Sequence, residues 1–295
     1  MFTITSSPSI FIILIGLSAV CALCIAAGAP GQPKAPVGSA ENPQAITSAD
    51  LGPDIDPRKV TGKTYSAIPL FRTFRSFVSG SYAIGGVWVY AENDEQALYD
   101  TQVAYLYPEF YRPTWGEVFD SLARQMRCAW SWDPKNRQFK FERSKAEPFF
   151  GVTLPRGWRR EDRGAYIWHA PADQNFGMDI YYYGHYTPSP DDADLLKKVR
   201  SYLALRNISN WPNAPTEAQM STVKVGGADA LYLKTDTPRP GGVWRQWSFV
   251  ADGEAFLIVS AMPKAREAEL GPVVDTMIAS FKSQSPTTRP APPAR

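Results

Sequence analysis

The chain is poor in the side chains that most enzymes use for chemistry. It has 2 histidines in 295 residues, His169 and His185, and 3 cysteines. Cys21 and Cys24 lie in an apolar run, which leaves Cys128 as the lone thiol of the remaining chain. One thiol cannot close an internal disulfide, so stability must come from packed cores. No histidine lies near Cys128 in sequence to activate it, and at the head of Cys128-Ala-Trp-Ser-Trp132 it reads as a small buried hydrophobe. Outside the apolar run, no His-x-x-x-His or Cys-x-x-Cys pair offers metal spacing. A Gly-x-Ser-x-Gly elbow and a Gly-rich phosphate loop with lysine are both missing. The sequence therefore predicts no catalytic, cofactor-binding or metal-ligating residues and no cofactor. A hydrolase with a dispersed site stays open, since the members of a Ser-His-Asp site need not be neighbours in sequence.

Charge of one sign is lacking too. The formal net charge is +2, which gives no case for nucleic acid or an acidic membrane surface as partner. What is present suits a folded protein: 44% hydrophobic residues can fill real cores, and 295 residues are enough for two ordinary domains. Of the 26 prolines, six lie within residues 30–57 and four within 286–293. Both stretches read as flexible, partly extended segments, a linker over 30–59 and a tail over 284–295.

Residues 1–29 carry the one long apolar run, Ile10 to Ala29. Ala26-Ala27-Gly28 before Ala29 has the small-residue character of a cleavage site, although nothing before Lys34 supplies a basic n-region. About 20 apolar residues also suffice to span a bilayer as an uncleaved anchor. Lipidation at Cys21 or Cys24 is disfavoured by Val20 and Leu23, which stand where a small residue is needed. Each alternative exports the rest of the chain, so the expected location is periplasmic or extracellular. Membrane contact is expected only through residues 10–29.

Residues 60–147 read as a small α+β domain. Ile68, Leu70, Phe71, Phe74, Phe77 and Val78 suit one face of a helix over 66–79. Strands are expected over 82–90 and 102–107. Thr114 caps a second helix with Glu117 as its capping-box partner and Val118, Leu122 and Met126 as the apolar stripe. Residues 130–133 and 138–142 form a hairpin. This order, with the helical segment Pro113-Thr-Trp-Gly-Glu-Val-Phe-Asp-Ser-Leu-Ala-Arg-Gln125, resembles the short N-terminal (STN) domain of secretins and TonB-dependent receptors. That resemblance implies a non-catalytic docking module at the envelope.

Residues 148–283 read as a second α+β domain. Strands are expected over 165–169, 178–183, 222–225, 230–234, 243–250 and 255–261, the last two joined by the hairpin signal Asp252-Gly253. Ser189-Pro190-Asp191-Asp192 reads as the start of a helix, its carboxylates facing the positive helix end. A closing helix is expected over 272–281. Val152-Thr-Leu-Pro-Arg-Gly-Trp158, Val225-Gly-Gly-Ala-Asp-Ala-Leu231, Phe249-Val-Ala-Asp-Gly-Glu-Ala-Phe256 and Ala279-Ser-Phe281 stand in the order of the PsbP-like superfamily, which includes DcrB-like envelope proteins, and residues 149–282 resemble it. The resemblance implies an antiparallel sheet between helices, an αβα sandwich, and members that act as accessory or binding proteins.

Aromatic residues supply the candidate contacts. Tyr181-Tyr-Tyr-Gly-His-Tyr186 with Trp168 can form a platform for a glycan, a peptide or another planar ligand, although strand alternation buries half of those rings. Trp158, Trp168, Tyr182, His185 and Trp244 are the residues expected to touch a ligand or partner. Trp158-Arg-Arg-Glu-Asp-Arg163 reads as an arginine-rich contact patch or a solvated loop. The expected role is that of an exported, non-enzymatic accessory, docking or assembly module with an envelope protein partner. The alternative is a small-ligand or glycan-binding protein with an aromatic groove.

Overall fold

The chain divides into two compact units, Met1–Lys34 and Ala35–Arg295. The computed structural model describes residues 72–74, 88–91, 96–103, 108, 110–111, 113–133, 135–136, 138–143, 149–162, 164, 166–172, 176–238 and 240–283, all within the second unit. The expected signal or anchor, the proline-rich linker over 30–59 and the tail over 284–295 lie outside the described residues.

The N-terminal elements are short. Strand β1 (Arg72–Thr73) precedes β2 (Trp88–Ala91), the helical turn α1 (Gln96–Tyr99) and β3 (Gln102–Val103). Of the helix expected over 66–79, Arg72 and Thr73 are corrected to strand, paired with Val103 and Gln102, while Phe74 is helical. Cross-strand pairing outweighs the helical spacing of the apolar residues there. The remainder of 66–79, and residues 104–107 of the second expected strand, fall outside the described residues.

Helix α2 (Trp115–Met126) forms as expected. The Glu117 N–H donates to the Thr114 hydroxyl oxygen, and the Glu117 carboxylate accepts from the Thr114 N–H, closing the capping box. Arg127, at φ 53°, ends the helix in the left-handed region. Strands β4 (Cys128–Asp133) and β5 (Gln138–Arg143) make the expected hairpin, with the Asp133 carboxylate accepting from the Lys135 and Asn136 N–H groups in the turn. Strand β2 adds to β5 in parallel.

After β6 (Phe150–Gly151) come β7 (Trp158–Asp162), β8 (Tyr166–Pro171) and β9 (Gly177–His185). Helix α3 (Leu195–Arg206) follows, then β10 (Ser221–Val225), β11 (Ala228–Asp236), β12 (Gly242–Ala251) and β13 (Glu254–Pro263). Helix α4 (Glu267–Ala279) and β14 (Lys282–Ser283) close the described chain. The fold is α+β. Its centre is a seven-stranded antiparallel sheet in the order β10-β11-β12-β13-β9-β8-β7. The β12–β13 hairpin turns at Asp252 and Gly253, with φ 52° and 81°. Positive φ at both central residues matches the strand twist of a two-residue loop.

Two expectations for the helices change. Residues 189–194 make successive turns, with the Asp192 N–H on the Ser189 carbonyl and the Leu195 N–H on the Asp192 carbonyl, so α3 starts only at Leu195. Asp192 pairs with Lys198 at 2.7 Å instead of capping the helix. The closing helix begins earlier than expected and holds Pro272 inside it, where the proline carbonyl accepts the Thr276 hydroxyl at 2.9 Å.

Both sheet faces are covered, by different partners. On the first face Tyr183, Tyr186, Ala255, Leu257 and Val259 pack with Val118, Phe119 and Leu122 of α2, Phe139 and Phe141 of β5, and Leu195, Val199 and Leu203 of α3. On the second face Ile167, Met178, Ile180, Tyr182, Trp247, Phe249, Phe256 and Ile258 pack with Leu270, Val274, Met277 and Ile278 of α4. Strand alternation sorts these residues: β9 sends Met178, Ile180 and Tyr182 to one side and Tyr181 and Tyr183 to the other. Each fully buried large apolar side chain contributes about 2 kcal/mol, so both layers matter to stability. The first core draws on residues from both sides of the expected 147/148 boundary.

Candidate functional site

The strongest concentration of polar chemistry surrounds Glu254. The β12–β13 turn places this residue directly after Gly253, at the start of an interior strand, and leaves it 0% exposed. Oε2 accepts the Tyr182 hydroxyl at 2.6 Å, and Oε1 lies 2.9 Å from His185 Nδ1. Arg124, in the last turn of α2, completes the set with an ion pair to Oε1. Strand register puts His185 directly opposite Glu254. A Cβ at residue 253 would lie 2.7 Å from His185 Cε1 and 2.9 Å from the Tyr186 carbonyl oxygen, with φ at +81°, so this close approach requires glycine.

Burial, reinforced by Arg124, holds His185 below the ordinary imidazole range, against the opposing carboxylates of Glu117 and Asp120. Burial likewise pushes the Tyr182 phenol up. A buried carboxylate without partners would be costly; here a guanidinium, a phenol and an imidazole share it. A second bridge lies close by: the Tyr111 hydroxyl donates to Glu117 at 2.9 Å and accepts the Thr187 N–H at 3.3 Å, while its ring packs 5.1 Å from Tyr186. Burial and the Glu117 carboxylate push the Tyr111 phenol well up. Both bridges join the α2 segment to β9 and β13.

A cavity of about 460 Å³ lies on the second face between α4 and strands β11 and β12. Its floor is Arg245, 7% exposed. Arg245 donates to the Tyr232 hydroxyl and the Gly271 carbonyl, both at 3.1 Å, and pairs with Asp275, while its guanidinium lies 5.0 Å from the Trp247 ring. Lys234 pairs with Glu267 and Lys264 with Asp236 on its rim. These charges are matched within the chain and fasten α4 to the sheet.

The five residues expected to touch a ligand do not share one site. Tyr182 is fully buried, because β9 alternation sends it into the second core, and its hydroxyl faces Glu254 instead of solvent. Trp158 packs on the same core, edge-on to Phe176 at 5.3 Å. The segment Trp158-Arg-Arg-Glu-Asp162 is an edge strand, not a loop, because it pairs with β8. His185 belongs to the Glu254 cluster. Trp168 and Trp244 lie half-buried on the first face, away from the other three. The reading of sequence missed Glu254 and Arg124, since an acidic residue after Asp-Gly and an arginine in an amphipathic helix both resemble surface positions. Cys128 is half-buried, at the edge of the first core.

Among the described residues no group of three or more His, Cys, Asp and Glu is placed to hold a metal ion, and no helix is long and apolar enough to cross a membrane. No family model matches the chain, and no curated protein matches it either. Solved structures similar to it include a protein from Bacteroides thetaiotaomicron, at a TM-score of 0.33 and 20% identity, over 48% of this chain and 47% of that one; the match thus spans about half of that protein. LpqN, involved in cell envelope biogenesis of Mycobacterium tuberculosis, is similar at a TM-score of 0.32 and 16% identity over 46% of this chain and 83% of its own. A cyanobacterial PsbP, CyanoP from Synechocystis, is similar at a TM-score of 0.33 and 11% identity over 53% of this chain and 92% of its own. The likeness of residues 60–147 to the STN domain remains an expectation of the sequence.

Proposed function

We propose that the chain is an exported, non-catalytic accessory protein that docks an envelope protein partner. The commitment of Glu254 carries this reading. An acid–base site needs a carboxylate or imidazole within reach of a substrate proton. Here the carboxylate is buried and shared by Arg124, Tyr182 and His185, so His185 has its Nδ1 committed as well. The same contacts tie the α2 segment to the sheet, so both present their outer surfaces as one body. Export rests on the apolar run over residues 10–29 and is part of the proposal.

The test is photo-cross-linking from the exposed Phe110, on the α2 side of that body. The full chain carrying a photoreactive residue at position 110 is mixed with envelope extract of the source cells, and adducts are identified by mass spectrometry. One dominant adduct, competed away by unlabelled chain, is expected. A spread of minor adducts that unlabelled chain does not displace would count against docking.

A further inference from the structure

We infer that the open end of the first sheet face is a binding groove for an uncharged hexopyranose sugar, walled by Trp168 and Trp244. The starting observation is Ala261. It lies in β13, hydrogen-bonded to β12 on one side and β9 on the other, yet it is exposed. A residue in an interior strand reaches solvent only through its sheet face, so that face is uncovered at this point. Ala261 stands two residues from Val259, hence on the face that α2 and α3 cover further along.

Its neighbours make the groove. In register with Ala261 lie Gly177 on β9 and Trp244 on β12, both half-buried. Gly177 is glycine for a reason of space: a Cβ there would lie 2.6 Å from Trp168 Nε1, so the indole edge rests on bare backbone. Trp244 is fixed from two sides, donating its indole N–H to Gln246 Oε1 at 3.1 Å and meeting Trp211 edge-to-face at 5.0 Å. Two inter-strand steps separate Gly177 from Trp244, about 10 Å, with only the Ala261 methyl between them. The floor is small and flat, and the walls are indoles.

The chemistry of the rim selects the ligand. Indole faces carry negative π charge and attract the C–H faces of a pyranose ring. Asp179, paired across from Trp168 on the same face and half-buried, holds the Tyr181 hydroxyl and has further carboxylate lone pairs that suit sugar hydroxyl donors. A proline-rich segment is the other occupant that indole grooves take, but its backbone offers carbonyl acceptors and needs donors from the groove. The Trp244 N–H is already bonded to Gln246, so one of the two indole donors is spent. The sugar fits better.

This inference goes beyond the docking role, and its failure leaves that role untouched. The full chain is titrated with cellohexaose, chitohexaose and maltohexaose, followed by tryptophan fluorescence and calorimetry. Saturable binding of at least one is expected, and Trp244→Ala and Ala261→Leu should each weaken it roughly tenfold, the loss of one stacking contact, the second with unchanged melting temperature. Ala261→Leu guards against misfolding as the cause, since it adds bulk at an exposed position without removing a contact. The inference is overturned if none of the three sugars binds, if both variants bind as tightly as the parent chain, or if a decaproline peptide binds and the sugars do not.

Discussion

His169 is 0% exposed, and neither of its ring nitrogens reaches a hydrogen-bond partner, although backbone groups of Ile167 and Met178 lie near. Burial depresses its pKa to about 4. The unfolded chain, with an ordinary imidazole near 6.5, therefore binds more protons than the folded one between those values. Stability from this residue is complete above pH 6.5 and lost as pH falls towards 4, a total of roughly 3 kcal/mol. His169→Phe removes both unpaired nitrogens while keeping a ring. It should leave stability at pH 7.5 equal or higher and flatten the acid limb of a urea-denaturation series. An undiminished acid slope in the variant would show that other groups carry it. The partnerless state of His169 was not legible in the sequence, because strand neighbours do not reveal what faces a side chain across the layer.

At the scale of elements, legibility followed the locality of the signal. The capping box at Thr114 and Glu117, the β4–β5 hairpin and the Asp252-Gly253 turn are written in contiguous residues and appear where expected. The β1–β3 pairing depends on contacts distant in sequence, and there the local pattern misleads; α3 starts late because Ser189, Asp192, Leu195 and Lys198 bond in successive turns instead. Gly253 links an element to the site. A methyl group there meets His185 and the Tyr186 carbonyl, on a backbone that side chains rarely adopt. Gly253→Ala should therefore cost about 1–3 kcal/mol and disturb the His185–Glu254 contact. A melting curve beside the histidine NMR signal checks both effects. An unchanged melting temperature with an unmoved His185 resonance would mean that the turn relaxes freely.

Across the whole molecule, Arg124–Glu254 and Tyr111–Thr187 join segments far apart in sequence, and the first core runs beneath both. Local helix, strand and hairpin signals disclosed the α+β class, and the PsbP-like resemblance implied the antiparallel sheet. They could not disclose that the acid beside the second histidine is buried and shared, because that depends on α2 being placed over β9 and β13. The proposed role, docking without catalysis, rests on this arrangement. The most direct measurement is turnover: the full chain is assayed on esterase, peptidase and glycosidase substrates beside Glu254→Gln and His185→Ala. No rate above the buffer blank is expected from any of the three proteins. A reproducible rate in the parent chain, abolished by either substitution while circular dichroism shows the fold intact, would contradict the reading.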